Sequence, residues 1–261
     1  MKIKGQPLLL LVMTVLLLVV ISSRIEPGQA GGRKEPKVTD DPNPVSELPE
    51  QSEMPQFEPA EPVQIRELLP GLSLNDWNLK LVNNTYVLPK TFAPDVTKIQ
   101  DEQYFDSRAV DALESMIAAA EDAGYTVCVR AAYRPFSTQA YIFNGRASQI
   151  QWGTTMTLME AEQEARKVVA YPGTSEHQLG LCADLMDTAA TSMTADTAEG
   201  LPLLQWLRAN CAEYGFILRY PKEKQEITGW YEPWHFRYVG KEAAEYIMEN
   251  GLCLEEFVEQ F

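Results

Sequence analysis

The residues best equipped for chemistry lie in two short stretches, Ser175-Glu176-His177-Gln178-Leu179-Gly180-Leu181-Cys182-Ala183-Asp184 and Glu232-Pro233-Trp234-His235. The chain holds only two histidines, His177 and His235, and each sits in one of these stretches. A catalytic zinc takes three protein ligands from His, Asp, Glu or Cys and keeps a fourth position for water. His177, Asp184 and His235 make such a set. Glu232 lies three residues before His235, near enough to reach an activated water without being a ligand, as a general base in zinc hydrolysis must. By residue type alone a bland account stands beside this one, because His-x6-Asp spacing is loose: the histidines satisfied in a core, and Asp184 closing a turn or capping a helix. Cys182 adds a third account, in which a thiolate replaces one histidine at the metal.

These side chains need elements to aim them. Gly180 begins a strand in which Cys182, Asp184 and Met186 share one face by the period of two, so Asp184 projects inward. Downstream, Trp234, Phe236 and Tyr238 alternate with His235, Arg237 and Val239, which separates a ring stripe from the ligand. Glu232 and His235 are an odd number of residues apart, and Pro233 disrupts regular pairing so that Glu232 turns toward the metal. The β-branched run Tyr125 to Ala131 reads as a strand delivering Tyr133 and Arg134 to a loop at its end. Arg134 offers a planar fork suited to a carboxylate, with a surface salt bridge as the plain alternative and Arg130 as a competitor.

Helices fill the intervals. Asp106 or Ser107 caps one through Ala123, with Val110, Leu113, Met116, Ile117 and Ala120 at helical spacing and Gly124 as the stop. Ser137 caps another to about Ala147, and Thr157 a third through Ala170. Further helices run from Leu201 to Tyr214, Lys241 to Asn250 and Leu254 to Phe261, while Leu68 to Pro94 is a series of turns. Helices around a small antiparallel sheet make the fold class α+β.

The string S-E-H-Q-L-G-L-C-A-D resembles the Ser-x-His-x-x-Gly-x-x-x-Asp motif of the VanY-like D-alanyl-D-alanine carboxypeptidases, and E-P-W-H resembles their Glu-x-x-His motif. The likeness runs from about Leu81, where L-V-N-N-T-Y-V-L-P is similar to the family's opening segment, to G-L-C-L-E-E-F near the C-terminus. The resemblance implies His177, Asp184 and His235 as zinc ligands and Glu232 as the catalytic acid/base. It also implies that Ser175, Tyr133, Arg134 and Gln139 hold the substrate. The implied fold is the one shared by D,D-peptidases and the Hedgehog signalling domain. Cys182 departs from the family, which has a small residue such as Ala there.

At 261 residues and 45% apolar content the chain suits one sizeable globular domain with appendages. A formal charge of −15 argues against nucleic-acid or anionic-membrane binding. Lys2 and Lys4 precede an apolar run from Pro7 to Ile21, so residues 1–25 read as a signal peptide or a short retained membrane anchor. Residues 26–64, rich in Pro and acidic side chains, read as an extended disordered linker. The zinc domain is expected over 65–261. Cys128, Cys182, Cys211 and Cys253 include no Cys-x-x-Cys pair and are expected to be mostly unpaired and buried.

The expectation for function is an extracytoplasmic, cell-wall-facing, monomeric zinc carboxypeptidase that removes the C-terminal D-Ala from peptidoglycan stem peptides. Two alternatives are an L,D-carboxypeptidase acting on tetrapeptide stems and a zinc-bearing peptidoglycan-binding module with little turnover.

Overall fold

The computed structural model describes residues 65–190 and 194–261. The signal or anchor segment and the linker expected over 1–64 lie outside the described residues. Among the described residues no helix is long and apolar enough to cross a membrane.

A four-stranded, wholly antiparallel sheet carries the functional motifs: β3 (Val127–Ala131), β4 (Cys182–Asp187), β5 (Phe216–Tyr220) and β6 (Glu232–Tyr238), in the order β3-β4-β6-β5. A two-stranded hairpin, β1 (Val96–Lys98) with β2 (Tyr104–Asp106), stands beside it. The main helices are α2 (Val110–Asp122), α3 (Phe136–Gln151), α4 (Leu158–Ala165), α6 (Pro202–Asn210), α8 (Lys241–Glu249) and α9 (Leu254–Gln260). One-turn helices complete the set: α1 (Ile65–Leu68), α5 (Ala195–Ala198) and α7 (Gln225–Thr228).

Strand alternation partitions the core. Phe216 and Leu218 of β5, with Phe236 of β6, join Leu113 and Met116 of α2 and Leu203 and Leu207 of α6 in the larger apolar cluster. Ile217 and Val239 point the other way and pack with Ala243, Ile247, Leu254 and Phe257 of α8 and α9. Trp234 and Tyr238 pack against the larger cluster with Phe236, as their alternation with His235 and Arg237 requires. The edge strand β5 is therefore covered on both faces.

The expected helix starts need correction at two places. Asp106 does not cap α2, because its carboxylate accepts bonds from the backbone and guanidinium of Arg108, and the helix opens at Val110. Ser137 sits inside the first turn of α3, whose N-cap is Pro135. Thr157 does cap α4, in a reciprocal pair with Glu160, although that helix ends at Ala165 rather than Ala170. Strand β3 starts at Val127 and not Tyr125, since the Tyr125 amide bonds back to Ala120 and closes α2 after Gly124.

Two glycines fix the entry to the first motif. Gly173 (φ +92°) approaches so closely that a Cβ would lie 2.9 Å from the Leu88 carbonyl oxygen. Gly180 (φ +73°) ends the 3-10 turn Glu176–Leu179, and its carbonyl accepts the Asp106 amide at 2.8 Å. A Cβ there would meet Pro94 at 3.2 Å, so both the left-handed backbone and the packing call for glycine.

Candidate metal centre and cleft

Register decides which side chains meet. Asp184 pairs with His235 and Cys182 with Arg237, so these four residues form a square on one face of the β4–β6 ladder. His177 arrives from the 3-10 turn that leads into β4, and the Arg134 amide bonds to its carbonyl at 3.0 Å. That bond ties the loop after β3 to the motif. The β5–β6 ladder runs Leu218↔Phe236 and then Tyr220↔Glu232, a slip spanning Pro233 and Trp234. The slip is the disruption expected from Pro233, and it brings Glu232 Oε2 within 3.5 Å of His235 Nδ1.

Each histidine has one nitrogen committed and one turned to the same point. His177 Nδ1 lies 2.7 Å from the Ala132 carbonyl oxygen, leaving Nε2 at 3.4 Å from Asp184 Oδ2. His235 Nε2 faces Glu176 Oε2 at 3.5 Å, leaving Nδ1 at 3.0 Å from Asp184 Oδ1. The rings meet edge to face, 5.0 Å between centroids, and both residues are buried. Donor atoms of His177, Cys182 and His235 all lie within 4.8 Å of one another. Two imidazoles and a carboxylate converging on one point fit zinc. So does the remote nitrogen of each ring resting on an oxygen that fixes its orientation.

The titratable groups around this point shift one another. Burial pushes the His177 imidazolium down, but Cys182 and Asp184 more than offset this and raise it to about 9. Burial raises the Asp184 carboxyl, yet His177 and His235 hold it well below the usual carboxylate range. Glu232 moves upward, through burial first and the Asp184 charge second, against the pull of His235. A carboxyl lifted this way is suited to taking and returning a proton.

Glu176 is the residue that motif analysis left without a role. It is buried, with Oε1 accepting from Arg219 Nε at 2.8 Å and Arg237 Nη1 at 2.7 Å. Arg219 in turn grips Glu255 of α9 through two bonds of 2.8 and 2.7 Å, and Arg237 reaches the carbonyls of Asn78 and Lys80. Two guanidiniums and two carboxylates cancel in charge, as buried ions must to be tolerated. Burial would raise the Glu176 carboxyl, but Arg219 and Arg237 hold it far below the usual range. Among the described residues its Oε2 and His235 Nε2 are buried with no hydrogen-bond partner and face each other at 3.5 Å, so the carboxylate is placed to orient that ring. Arginines within the apolar strands F-I-L-R-Y and E-P-W-H-F-R-Y were the available signal, because a buried cation demands a partner. Glu176→Gln is expected to weaken zinc binding by roughly 10- to 100-fold, the usual effect of losing such a support. Chelator competition on folded protein measures it, and unchanged affinity would show that Glu176 serves the arginines alone.

A cleft of about 280 Å³ opens over this centre, lined among others by Arg134, Gln139, Ser175, Glu232, Trp230 and Trp234. Arg134 makes no ion pair among the described residues, and its Nε is buried without a partner. Arg130 is exposed and spends its guanidinium on the Ala190 carbonyl, away from the cleft. Gln139 is buried and donates to the Ala170 carbonyl at 2.6 Å, which braces the cleft wall and leaves Oε1 unpartnered. Ser175 is buried at the cleft as N-cap of the His177 turn. Tyr133 is not part of the cleft lining and lies against Gly180. All four cysteines are free thiols, with Cys128 partly exposed and the others buried.

Comparison with known proteins adds an independent line. The family model described as VanY, D-alanyl-D-alanine carboxypeptidase, matches residues 102–241. The putative carboxypeptidase YodJ of Bacillus subtilis is 38% identical over 197 residues, covering 70% of this chain and 67% of that one. A D-alanyl-D-alanine carboxypeptidase of Enterococcus faecalis is 37% identical over 184 residues, covering 70% and 66%. A vancomycin-resistance D,D-pentapeptidase VanY solved with Zn(II) superposes with a TM-score of 0.61 at 36% identity, over 70% of this chain and 99% of that one. The LD-carboxypeptidase LdcB superposes with a TM-score of 0.59 at 38% identity, over 69% and 85%.

Proposed function

The chain belongs to the VanY D-alanyl-D-alanine carboxypeptidase family, a zinc peptidase family, and from that premise we propose that it removes the C-terminal D-Ala from peptidoglycan stem peptides outside the membrane. The observation that carries the proposal is the convergence of His177 Nε2, His235 Nδ1 and Asp184 on one point, with Glu232 beside it in a cleft that Arg134 also lines.

In this proposal His177, Asp184 and His235 hold the zinc. Zinc so held supplies a Lewis acid that polarises the scissile carbonyl and acidifies the attacking water. Glu232 takes the proton from that water and passes it to the departing amine, the two halves of one acid/base cycle. Glu176 keeps the His235 ring at its angle. Arg134 pairs with the free carboxylate of the peptide, and its bond to the His177 backbone sets the distance between that anchor and the reacting bond. Ser175 and Gln139 contribute polar atoms to the wall, while Trp230 and Trp234 exclude water from it. A cleft of this size suits the small terminal residues of a peptide better than a folded protein. Glu232 argues for turnover over passive binding, because a structural zinc needs no proton carrier. Residues 1–64 are proposed to export and tether a monomeric enzyme at the wall.

The likeness to LdcB favours L,D-cleavage of tetrapeptide stems as a second activity to test. Defined penta- and tetrapeptide stems, with products identified by mass, separate the two. Free D-Ala from the pentapeptide supports the main proposal, and turnover of the tetrapeptide alone replaces it.

Arg134 decides between exo- and endopeptidase. A stem peptide amidated at its C-terminus should be cleaved roughly 10- to 150-fold less efficiently than the free acid, the loss of one charge-assisted contact of about 1.5–3 kcal/mol. Arg134→Ala should erase most of that preference, and Arg134→Lys should restore part of it, since a point charge lacks the bidentate fork. Equal kcat/KM for acid and amide in the wild type would remove both the role and the exopeptidase assignment.

A further inference from the structure

We propose that Tyr220 is a further catalytic residue, whose hydroxyl donates a hydrogen bond to the carbonyl oxygen of the scissile bond as that oxygen gathers negative charge. The inference rests on the hydrolytic reading above and adds to it a group that neither sequence motif contains. Its ground is a break in strand alternation. In β5, Phe216 and Leu218 point into the larger apolar cluster, so a regular strand would send Tyr220 after them. The ladder with β6 slips between Leu218 and Tyr220, and Tyr220 belongs to none of the apolar clusters. It lines the cleft instead, together with Glu232, His177, Asp184 and His235. Irregularities of this kind re-aim side chains next to active sites.

Two ring contacts hold the side chain in place. The Tyr220 ring lies 4.9 Å from that of His235, centroid to centroid, and the Arg219 guanidinium carbon sits 4.6 Å from its centroid. In the ladder Tyr220 is registered against Glu232, the proposed proton carrier. The ring is thus engaged while the hydroxyl is free. Among the described residues the hydroxyl makes no hydrogen bond, and it is not sealed from solvent as the Tyr231 hydroxyl is. Since the residue as a whole is only 8% exposed, that accessible oxygen opens onto the cleft the residue lines.

The plain alternative is a ring that does no more than prop His235. That task needs no hydroxyl, and a phenylalanine would perform it without a polar atom to satisfy in a nearly closed wall. A phenol keeps its proton at neutral pH and offers it as a donor. In a cleft sheltered from water such a donor acts most strongly on charge that develops in the transition state, and gives little to the bound ground state. No bond of Tyr220 breaks. Glu232 still carries the proton of the attacking water to the departing amine, and the phenol proton stays on its own oxygen.

Tyr220→Phe removes the oxygen and keeps the ring against His235. The variant should retain its zinc and its KM for a pentapeptide stem while kcat falls by about 10²–10³, the usual effect of deleting one such donor. A phosphinate analogue of the terminal dipeptide, tetrahedral at the reacting position, should lose affinity by a similar factor in calorimetry, where no turnover is involved. The dipeptide D-Ala-D-Ala should bind as it does to the wild type. Tyr231→Phe deletes a hydroxyl outside the cleft lining and should match the wild type in every one of these measurements. Unchanged kcat and phosphinate affinity in Tyr220→Phe would overturn the inference and leave the zinc carboxypeptidase proposal standing. A loss of zinc or of thermal stability that accounts for the lost rate would overturn it as well, by reducing Tyr220 to a support for His235. A wild type that releases D-Ala from no stem peptide would overturn the proposed function and this role together.

Discussion

His177→Ala, Asp184→Ala and His235→Ala should each come through dialysis without stoichiometric zinc and with turnover of stem peptides reduced to background. The three differ in what is left behind. Removing His177 frees the Ala132 carbonyl and leaves the sheet face intact, so that variant should stay folded. Removing Asp184 deletes the one group that bridges both imidazoles, at 3.4 Å and 3.0 Å, and leaves them facing each other. Removing His235 takes away the imidazole nitrogen that faces the buried Glu176 Oε2 at 3.5 Å, so a loss of stability is expected beside the loss of metal. Metal content by elemental analysis, with circular dichroism as the folding control, measures all three. A variant that keeps full zinc occupancy removes its residue from the ligand set.

How much of this was legible beforehand depends on how local each signal is. The two motifs carry their own geometry, because period two puts Cys182 and Asp184 on one face and a proline inside E-P-W-H advertises an irregular strand. Glycine stops were equally legible, since Gly124 and Gly215 adopt positive φ where α2 and the turn after α6 end; Gly180, read as the start of a strand, instead closes the 3-10 turn before it. The β1–β2 hairpin was not legible. Its strands are three residues long, too short for any alternation to register, and its turn is held by Asp101, whose carboxylate accepts the Val129 amide at 2.7 Å.

The Glu176 network was hidden for a different reason. Its members are 43 and 61 residues apart along the chain, and nothing in a polar motif says that one glutamate will be wholly buried. Only the fold reveals that Arg219 and Arg237, on neighbouring strands, close over it. The same network links the N-terminal turns at Asn78 and Lys80 and the last helix at Glu255 to a candidate ligand. Segments that looked peripheral in the sequence therefore bear on the metal centre, and Glu255→Gln is a change at the C-terminus that reaches His235 through two shared contacts.

Glu232→Gln should leave zinc content and fold unchanged while lowering kcat by about 10²–10⁴, or about 2.7–5.4 kcal/mol of transition-state stabilisation. The amide is nearly the same shape as the carboxyl, and the Glu232 side chain is partly exposed at the cleft, so little packing is disturbed. What changes is the ability to take a proton. The residue lies 3.5 Å from His235 Nδ1 and beside Asp184, a position that makes it a candidate ligand as well as a proton carrier. The two roles separate cleanly in the variant. A ligand's loss lowers metal content together with rate, whereas a proton carrier's loss lowers kcat with metal and KM held. Asp184→Ala provides the contrast, since its carboxylate touches both histidines and its removal should cost metal first. Single-turnover rates on a pentapeptide stem, measured beside zinc content on the same preparation, decide the matter. Depleted zinc in Glu232→Gln would move Glu232 into the coordination sphere and leave the acid/base role to another group of the cleft.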